Sequence, residues 1–199
     1  TDDVLEKIPT VKSTSRFHLF PRLKFGYQTD KVGELAFSYV QRVIRPYGSY
    51  LNVFTDRSDA THIWRGNPDL KDEMIHSIEL SYSYATSVFR LSPSFYYRNK
   101  RNRIMDKVEN AGASGTFWTK ENIGHSQTFG FELFGTWQPV RILSIGLSGD
   151  IYRDEIDGRT IGYDEKKSMV CGDIKGSVNI SITPTTELQL DGFYISDQL

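Results

Sequence analysis

The stretch Ser77-Ile78-Glu79-Leu80-Ser81-Tyr82-Ser83-Tyr84-Ala85-Thr86-Ser87-Val88-Phe89-Arg90-Leu91-Ser92-Pro93-Ser94-Phe95-Tyr96-Tyr97-Arg98 decides the fold class. Ile78, Leu80, Tyr82 and Tyr84 fall on one parity against Ser77, Glu79, Ser81 and Ser83. After Thr86-Ser87, the residues Phe89, Leu91, Phe95 and Tyr97 alternate in the same way with Arg90, Ser92, Ser94 and Arg98. A period of two places alternate side chains on opposite faces of a strand, so this is a two-faced hairpin with a tight turn.

The same pattern recurs on both sides of it. Phe17, Leu19, Leu23, Phe25 and Tyr27 share a parity, as do Leu35, Phe37, Tyr39 and Val43. Further on come Phe129, Phe131, Leu133 and Trp137, then Leu143, Ile145, Leu147 and Ile151, then Ile174, Val178, Ile180 and Ile182, and last Leu188 and Leu190. The chain therefore reads as all-β with about eight strands. Thr116 to Trp137 reads as one long strand bent at Gly124; a true turn there would add a ninth.

The connections point to the environment. Asp30-Lys31-Val32-Gly33, Thr86-Ser87, Gln138-Pro139-Val140-Arg141 and Pro184-Thr185-Thr186 are tight turns, whereas Pro46 to Asp72, Met105 to Gly115 and Glu155 to Lys167 are long. Short and long connections alternate. Outer-membrane barrels keep short turns on the periplasmic side and longer loops outside. Most of the alternating runs also suit the ~9 to 11 residues of a membrane-crossing strand better than the ~5 to 6 of a globular one.

Composition agrees. The 199 residues are 38% hydrophobic and 25% charged, with no run near the ~20 apolar residues of a membrane helix. Yet 11 Tyr, 12 Phe and 3 Trp are present, the aromatic load of a wall whose alternate residues meet lipid. Tyr27, Tyr39, Tyr84, Trp137 and Tyr152 lie near strand ends, where interfacial girdles form. A net charge of -1 gives no electrostatic reason for nucleic-acid binding.

Catalytic patterns are not found. The four histidines are dispersed, Asp154-Glu155-Ile156-Asp157-Gly158 fails the register of a calcium loop, and no Gly-x-Ser-x-Gly elbow occurs. Cys171 is alone and reads as a small apolar strand residue. No catalytic residue, metal ligand or cofactor is expected. Arg98-Asn99-Lys100-Arg101-Asn102-Arg103 reads as a solvated rim that could meet lipopolysaccharide phosphates.

Between Tyr39 and Leu70 the chain resembles a known family. Tyr39-Val40-Gln41-Arg42-Val43-Ile44-Arg45-Pro46, Tyr50-Leu51-Asn52-Val53-Phe54 and Gly66-Asn67-Pro68-Asp69-Leu70 are similar to the outer-membrane β-barrel family among TonB-dependent receptors of Bacteroidetes-type bacteria. The pattern is an Arg-Pro strand end, a Leu-Asn-Pro-Phe turn and a Gly-Asn-Pro-x-Leu turn, and Val53 stands where proline is usual. Asn122-Ile123-Gly124 followed by Gly130-Phe131-Glu132-Leu133, and the ending Tyr194-Ile195-Ser196, extend the resemblance to the C-terminus.

The resemblance implies an antiparallel transmembrane β-barrel in the bacterial outer membrane, with residues 1–199 forming about eight strands of a ~22-stranded whole. Nothing in the sequence resembles a plug domain or a TonB box. The implied function is TonB-dependent uptake of an external ligand such as a metal chelate, oligosaccharide or peptide. The implied partners are membrane lipid, lipopolysaccharide, the remaining strands and plug, and TonB through the full-length protein. Arg45, Pro46, Leu51, Asn52, Phe54, Gly66, Asn67, Pro68 and Leu70 would be turn residues, and Tyr47, Tyr50 and Trp64 in the longest loop could contact ligand. Two other readings are a complete eight-stranded barrel acting as an adhesin or structural protein, and a lipocalin-like soluble binder.

Overall fold

The computed structural model describes residues 17–56, 58–59, 62–110, 115–122, 124–157, 159 and 166–197. In chain order these form β1 (Arg22–Thr29), β2 (Gly33–Ile44), the helical turn α1 (Gly48–Leu51), β3 (Thr55–Asp56), β4 (His62–Arg65), β5 (Glu73–Ala85) and β6 (Phe89–Arg101). There follow β7 (Ile104–Asn110), β8 (Thr116–Asn122), β9 (His125–Val140), β10 (Leu143–Asp157), β11 (Lys166–Thr183) and β12 (Thr186–Ile195).

Eight of them build one antiparallel sheet in the order β1-β2-β5-β6-β9-β10-β11-β12. This is a meander in which neighbours in the sheet are consecutive wall strands. All four tight turns lie at one end. In the first, Thr29 Oγ1 accepts from Val32 N at 3.1 Å, and Gly33 at φ 89° closes it. In the second, Thr86 Oγ1 accepts from Phe89 N at 3.0 Å. The turn after β9 falls at Arg141–Ile142 because Gln138, Pro139 and Val140 remain in the strand.

Register shows what each parity faces. Phe25, Phe37, Leu80, Phe95, Phe131 and Ile151 stand side by side across six strands. On the opposite face the adjacent row runs Gly26, Ala36, Ser81, Ser94, Glu132, Asp150 and Asp173. The apolar row is the exposed one, with Phe25 at 64% and Ile151 at 56%. A soluble binder would turn that face inward, so the lipocalin-like reading does not fit. Lipid is the solvent that accepts such a face while the hydrogen-bonded sheet satisfies the backbone. The run from Phe129 to Val140 is ~36 Å long at ~3.3 Å per residue, which a ~45° tilt reduces to about the ~25 Å height of a lipid-facing band.

The inner face is packed by polar contacts. The Tyr96 ring lies across Gly130, where a Cβ would stand 2.3 Å from its Cζ. Its hydroxyl donates to Asp150 at 2.8 Å, the Arg98 guanidinium sits 4.1 Å from the ring centre, and Thr128 donates to Asp154 at 2.7 Å.

Several expectations need correction. Phe17 and Leu19 precede the wall: β1 begins at Arg22, and Pro21 only accepts, from Gln41 N at 3.0 Å. Tyr152 faces inward beside Gly130 and Cys171, so it is no girdle residue, and Cys171 is buried and free. Met105 to Gly115 is not a plain loop, because β7 occupies most of it; residues 111–114 lie outside the described residues. Thr116 to Asn122 is not part of the wall strand that ends at Val140. It is β8, in a second sheet of order β3-β4-β8-β7, and the chain changes sheets around Gly124. Strands β10 and β11 stay paired up to Asp157 and Lys166, and most of the connection between them falls outside the described residues.

The second sheet stands at the end opposite the tight turns, since it is built from the β2–β5 and β6–β9 connections. Among the described residues, β1 and β12 pair on one side only, so the wall is an open sheet.

Candidate functional site

The β2–β5 and β6–β9 connections form one hydrogen-bonded assembly above the wall. After Arg45 and Pro46 the chain makes the turn α1, in which Tyr50 N donates to Tyr47 O at 2.9 Å. Leu51 is half-buried in that turn. Asn52 Oδ1 then accepts from Phe54 N at 3.1 Å, an Asx turn that closes with Val53 in the place where the family pattern has proline.

Gly66 and Asn67 return against this turn. Gly66 N donates to Asn52 O at 2.9 Å and Asn67 N to Tyr50 O at 2.6 Å. A Cβ on Gly66 would stand 2.4 Å from Asn52 O and 2.6 Å from Tyr50 O, so close backbone approach requires glycine here. Asn67 Oδ1 accepts from Asp69 N at 3.0 Å, Pro68 is exposed between them, and Leu70 is wholly buried.

Asparagine side chains fasten this loop to the next one. Asn67 Nδ2 donates to Lys120 O at 3.1 Å. Asn122 Oδ1 accepts from Lys71 N at 2.7 Å, and its Nδ2 donates to Lys71 O at 3.0 Å and Asn102 O at 2.7 Å. Asn102 takes φ 56°, a left-handed conformation that asparagine tolerates. His18 Nε2 and Asp72 Oδ2, 2.7 Å apart, join the segment before β1 to the same region.

The β7–β8 hairpin is held by charge. Lys120 meets Asp106 at 2.6 Å and Lys107 meets Glu121 at 3.0 Å and Glu109 at 3.1 Å. Hydrogen bonding to Glu121, then to Glu109, raises the Lys107 ammonium pKa and keeps it charged.

The three aromatic residues singled out for ligand contact fall into two groups. Tyr47 and Tyr50 meet edge to face at 5.3 Å, Tyr47 is exposed, and Lys120 Nζ stands 4.9 Å from the Tyr50 ring centre. Trp64 lies on β4 directly beside Trp118 of β8. Sequence reading missed Trp118 and Lys120 and had Asn122 only as part of the family motif; the usable signal was the match of Lys120-Glu121 to Asp106-Lys107. Arg45 and Phe54 are exposed and make no part of the asparagine fastening described above. Among the described residues no group of three His, Cys, Asp or Glu side chains is placed to hold a metal ion.

One tie at this end titrates. The Arg159 side chain, hydrogen-bonded to Asp157 at 2.7 Å, holds the Asp157 pKa down at about 2, against an ordinary 3.8. Because the folded value is the lower one, the tie contributes fully above the ordinary value and is lost as pH falls through about 2. The protection of the Arg159 amide, which donates to Asp157 Oδ1 at 3.4 Å, taken relative to the unstructured rate at each pH, should therefore hold down to about pH 4 and fall between there and about pH 2. An Asp157→Asn chain should show no such step.

Known proteins share this architecture. The FrpB iron transporter from Neisseria meningitidis matches at a TM-score of 0.64 and 14% identity, over 89% of this chain and 27% of that one. The siderophore receptor PirA from Pseudomonas aeruginosa matches at 0.59 and 11%, over 85% of this chain and 37% of that one. The copper transporter OprC matches at 0.51 and 12%, over 84% and 32%. At these identities the likeness shows the fold, and the chain spans 27% to 37% of the length of these structures. No curated protein matches the chain in sequence. The profile of one family fits residues 4–199, nearly the whole chain, in agreement with the lipid-facing wall. The chain belongs to the outer membrane protein beta-barrel family and is an outer-membrane protein.

Proposed function

We propose that this chain is part of the barrel wall of a TonB-dependent receptor that captures an external ligand and imports it. The observation that carries the reading is the open sheet: eight wall strands with both edges unpaired among the described residues. Unpaired edges in a membrane need further strands, and the remainder of a larger barrel supplies them. The same observation disfavours the closed eight-stranded adhesin.

The full-length protein would also supply the plug and the contact with TonB, while lipid and lipopolysaccharide surround the wall. The motifs at Arg45-Pro46, Leu51-Asn52-Val53-Phe54 and Gly66-Asn67-Pro68-Asp69-Leu70 support the Bacteroidetes-type branch of these receptors. The chain does no covalent chemistry in this reading. Metal chelates are the first ligands to try, because the similar structures are named for iron, siderophore and copper; oligosaccharides and peptides come next.

Tyr47, Tyr50 and Trp64 would contact the ligand at the outer end. Changing all three to alanine in the full-length receptor should weaken ligand binding by roughly tenfold or more, as loss of aromatic anchors does. Heat-modifiable migration should be unchanged. Unchanged affinity would remove these residues from the site. If residues 1–199 fold alone in detergent into a closed, heat-modifiable monomer, the larger-barrel reading is wrong.

A further inference from the structure

The lipid-facing parity has a gap in it. At Gly149 the wall carries a depression of about 190 Å³ whose side walls are Phe131, Leu133, Leu147, Ile151 and Ile174, with the inward-parity residues Asp150 and Asp173 also bordering it. Leu133 and Ile174 flank Gly149 across the neighbouring strands, so the missing side chain leaves an apolar trough open to hydrocarbon.

Four residues toward the outer end, on the same parity of β10, stands Arg153. Its register neighbours are Phe129 and Val170, both well exposed on the apolar face. A cation is costly on that face in hydrocarbon and nearly free at the interface, so Arg153 marks the outer boundary of the band. Its side chain is 62% exposed, and the Glu155 carboxylate stands 3.8 Å away, beyond hydrogen-bond length. Glu155 is also shared with Lys166 at 3.3 Å. Asp157, opposite Lys166, is taken by Arg159 at 2.7 Å, so among the described side chains here three cations face two carboxylates and one positive charge is left over. It lies ~13 Å along the strand from the trough.

We propose that Gly149 and Arg153 seat one phosphate-bearing lipid of the outer leaflet, with an acyl chain in the trough and a phosphate against the guanidinium. The planar fork of arginine matches phosphate oxygens two at a time, and the trough orients the chain beneath it. The inference rests on the outer-membrane placement and not on the import reading, and no uptake assay enters its test.

The full-length receptor in neutral detergent is given diphosphoryl lipid A or its dephosphorylated form, and retained lipid is counted by native mass spectrometry. Wild type should keep the phosphorylated form and retain the dephosphorylated form roughly tenfold less. Arg153→Gln should lose retention to a similar degree. Ile174→Trp, a change at a lipid-exposed position on the rim, should displace the acyl chain and lower retention as well. Arg141→Gln, in an exposed turn at the other end, should behave as wild type. Equal retention of the two lipids overturns the proposal, as does wild-type retention by Arg153→Gln or by a heat-modifiable Ile174→Trp protein.

Discussion

Gly66→Val opens the loop assembly at the outer end while leaving the wall intact. The substituted Cβ would stand 2.4 Å from Asn52 O, 2.6 Å from Tyr50 O and 2.7 Å from Asn52 N, all backbone atoms that no rotamer change can move aside. The two carbonyls are also the acceptors of the Gly66 and Asn67 amides, so relief of the clash breaks both bonds. Overpacking costs ~1 to 3 kcal/mol and each of the two bonds ~1 kcal/mol more, so the assembly should lose about 3 to 5 kcal/mol. At ~1.4 kcal/mol per factor of ten, amide exchange at Asn67 and Leu70 in the full-length barrel should accelerate by roughly a hundredfold or more. The amides of Phe95 and Phe131, deep in the wall, should not change. Gly48→Ala is the control, because a Cβ there meets nothing within 4 Å. Unchanged exchange at Asn67 would show that the loops do not depend on this approach.

The wall and its turns were legible because lipid imposes a strict rule. One parity must be apolar and the other may be anything, so period two survives a composition with few aliphatic residues. Phe95 beside Phe131 and Ser94 beside Glu132 show both halves of the rule across one pair of strands. The second sheet was not legible, since the pair that joins its two halves, β4 beside β8, brings together connections distant in sequence. Thr116 to Asn122 puts Phe117 and Trp118 side by side and follows them with four polar residues, so it lacks the alternation of a wall strand, and its partners belong to the second sheet: Lys120 meets Asp106, and Trp118 lies between Trp64 and Val108. Tyr152 was misplaced for a different reason. An aromatic near a strand end reads as girdle, but parity decides the face, and Tyr152 shares its parity with Asp150 and Asp154 on the inner side. Of the candidate site, the turn motifs were readable from glycine, asparagine and proline spacing, whereas the partners that bind those turns to the neighbouring connection were not.

Asn122→Ala should loosen two connections at once, because that side chain is shared between them. It accepts from Lys71 N and donates to Lys71 O in the connection before β5, and it donates to Asn102 O in the connection after β6. Three bonds at ~0.5 to 1.5 kcal/mol each amount to about 2 to 4 kcal/mol. Asn122→Asp separates hydrogen bonding from shape. The aspartate keeps an acceptor for Lys71 N but has no donor for either carbonyl, and its charge faces both, so it should be as damaging as alanine. Hydrogen exchange at the Lys71 and Asn102 amides, the second of which donates to Gly124 O at 3.1 Å, reports the two connections separately. Both should accelerate together, by roughly thirty- to a thousandfold at ~1.4 kcal/mol per factor of ten. Acceleration at Lys71 alone would mean that the two connections stand independently and that Asn122 only closes a local turn. If the aspartate chain instead exchanges like wild type, the two donor bonds contribute nothing and the assembly is held by the hairpin charges at Lys107 and Lys120.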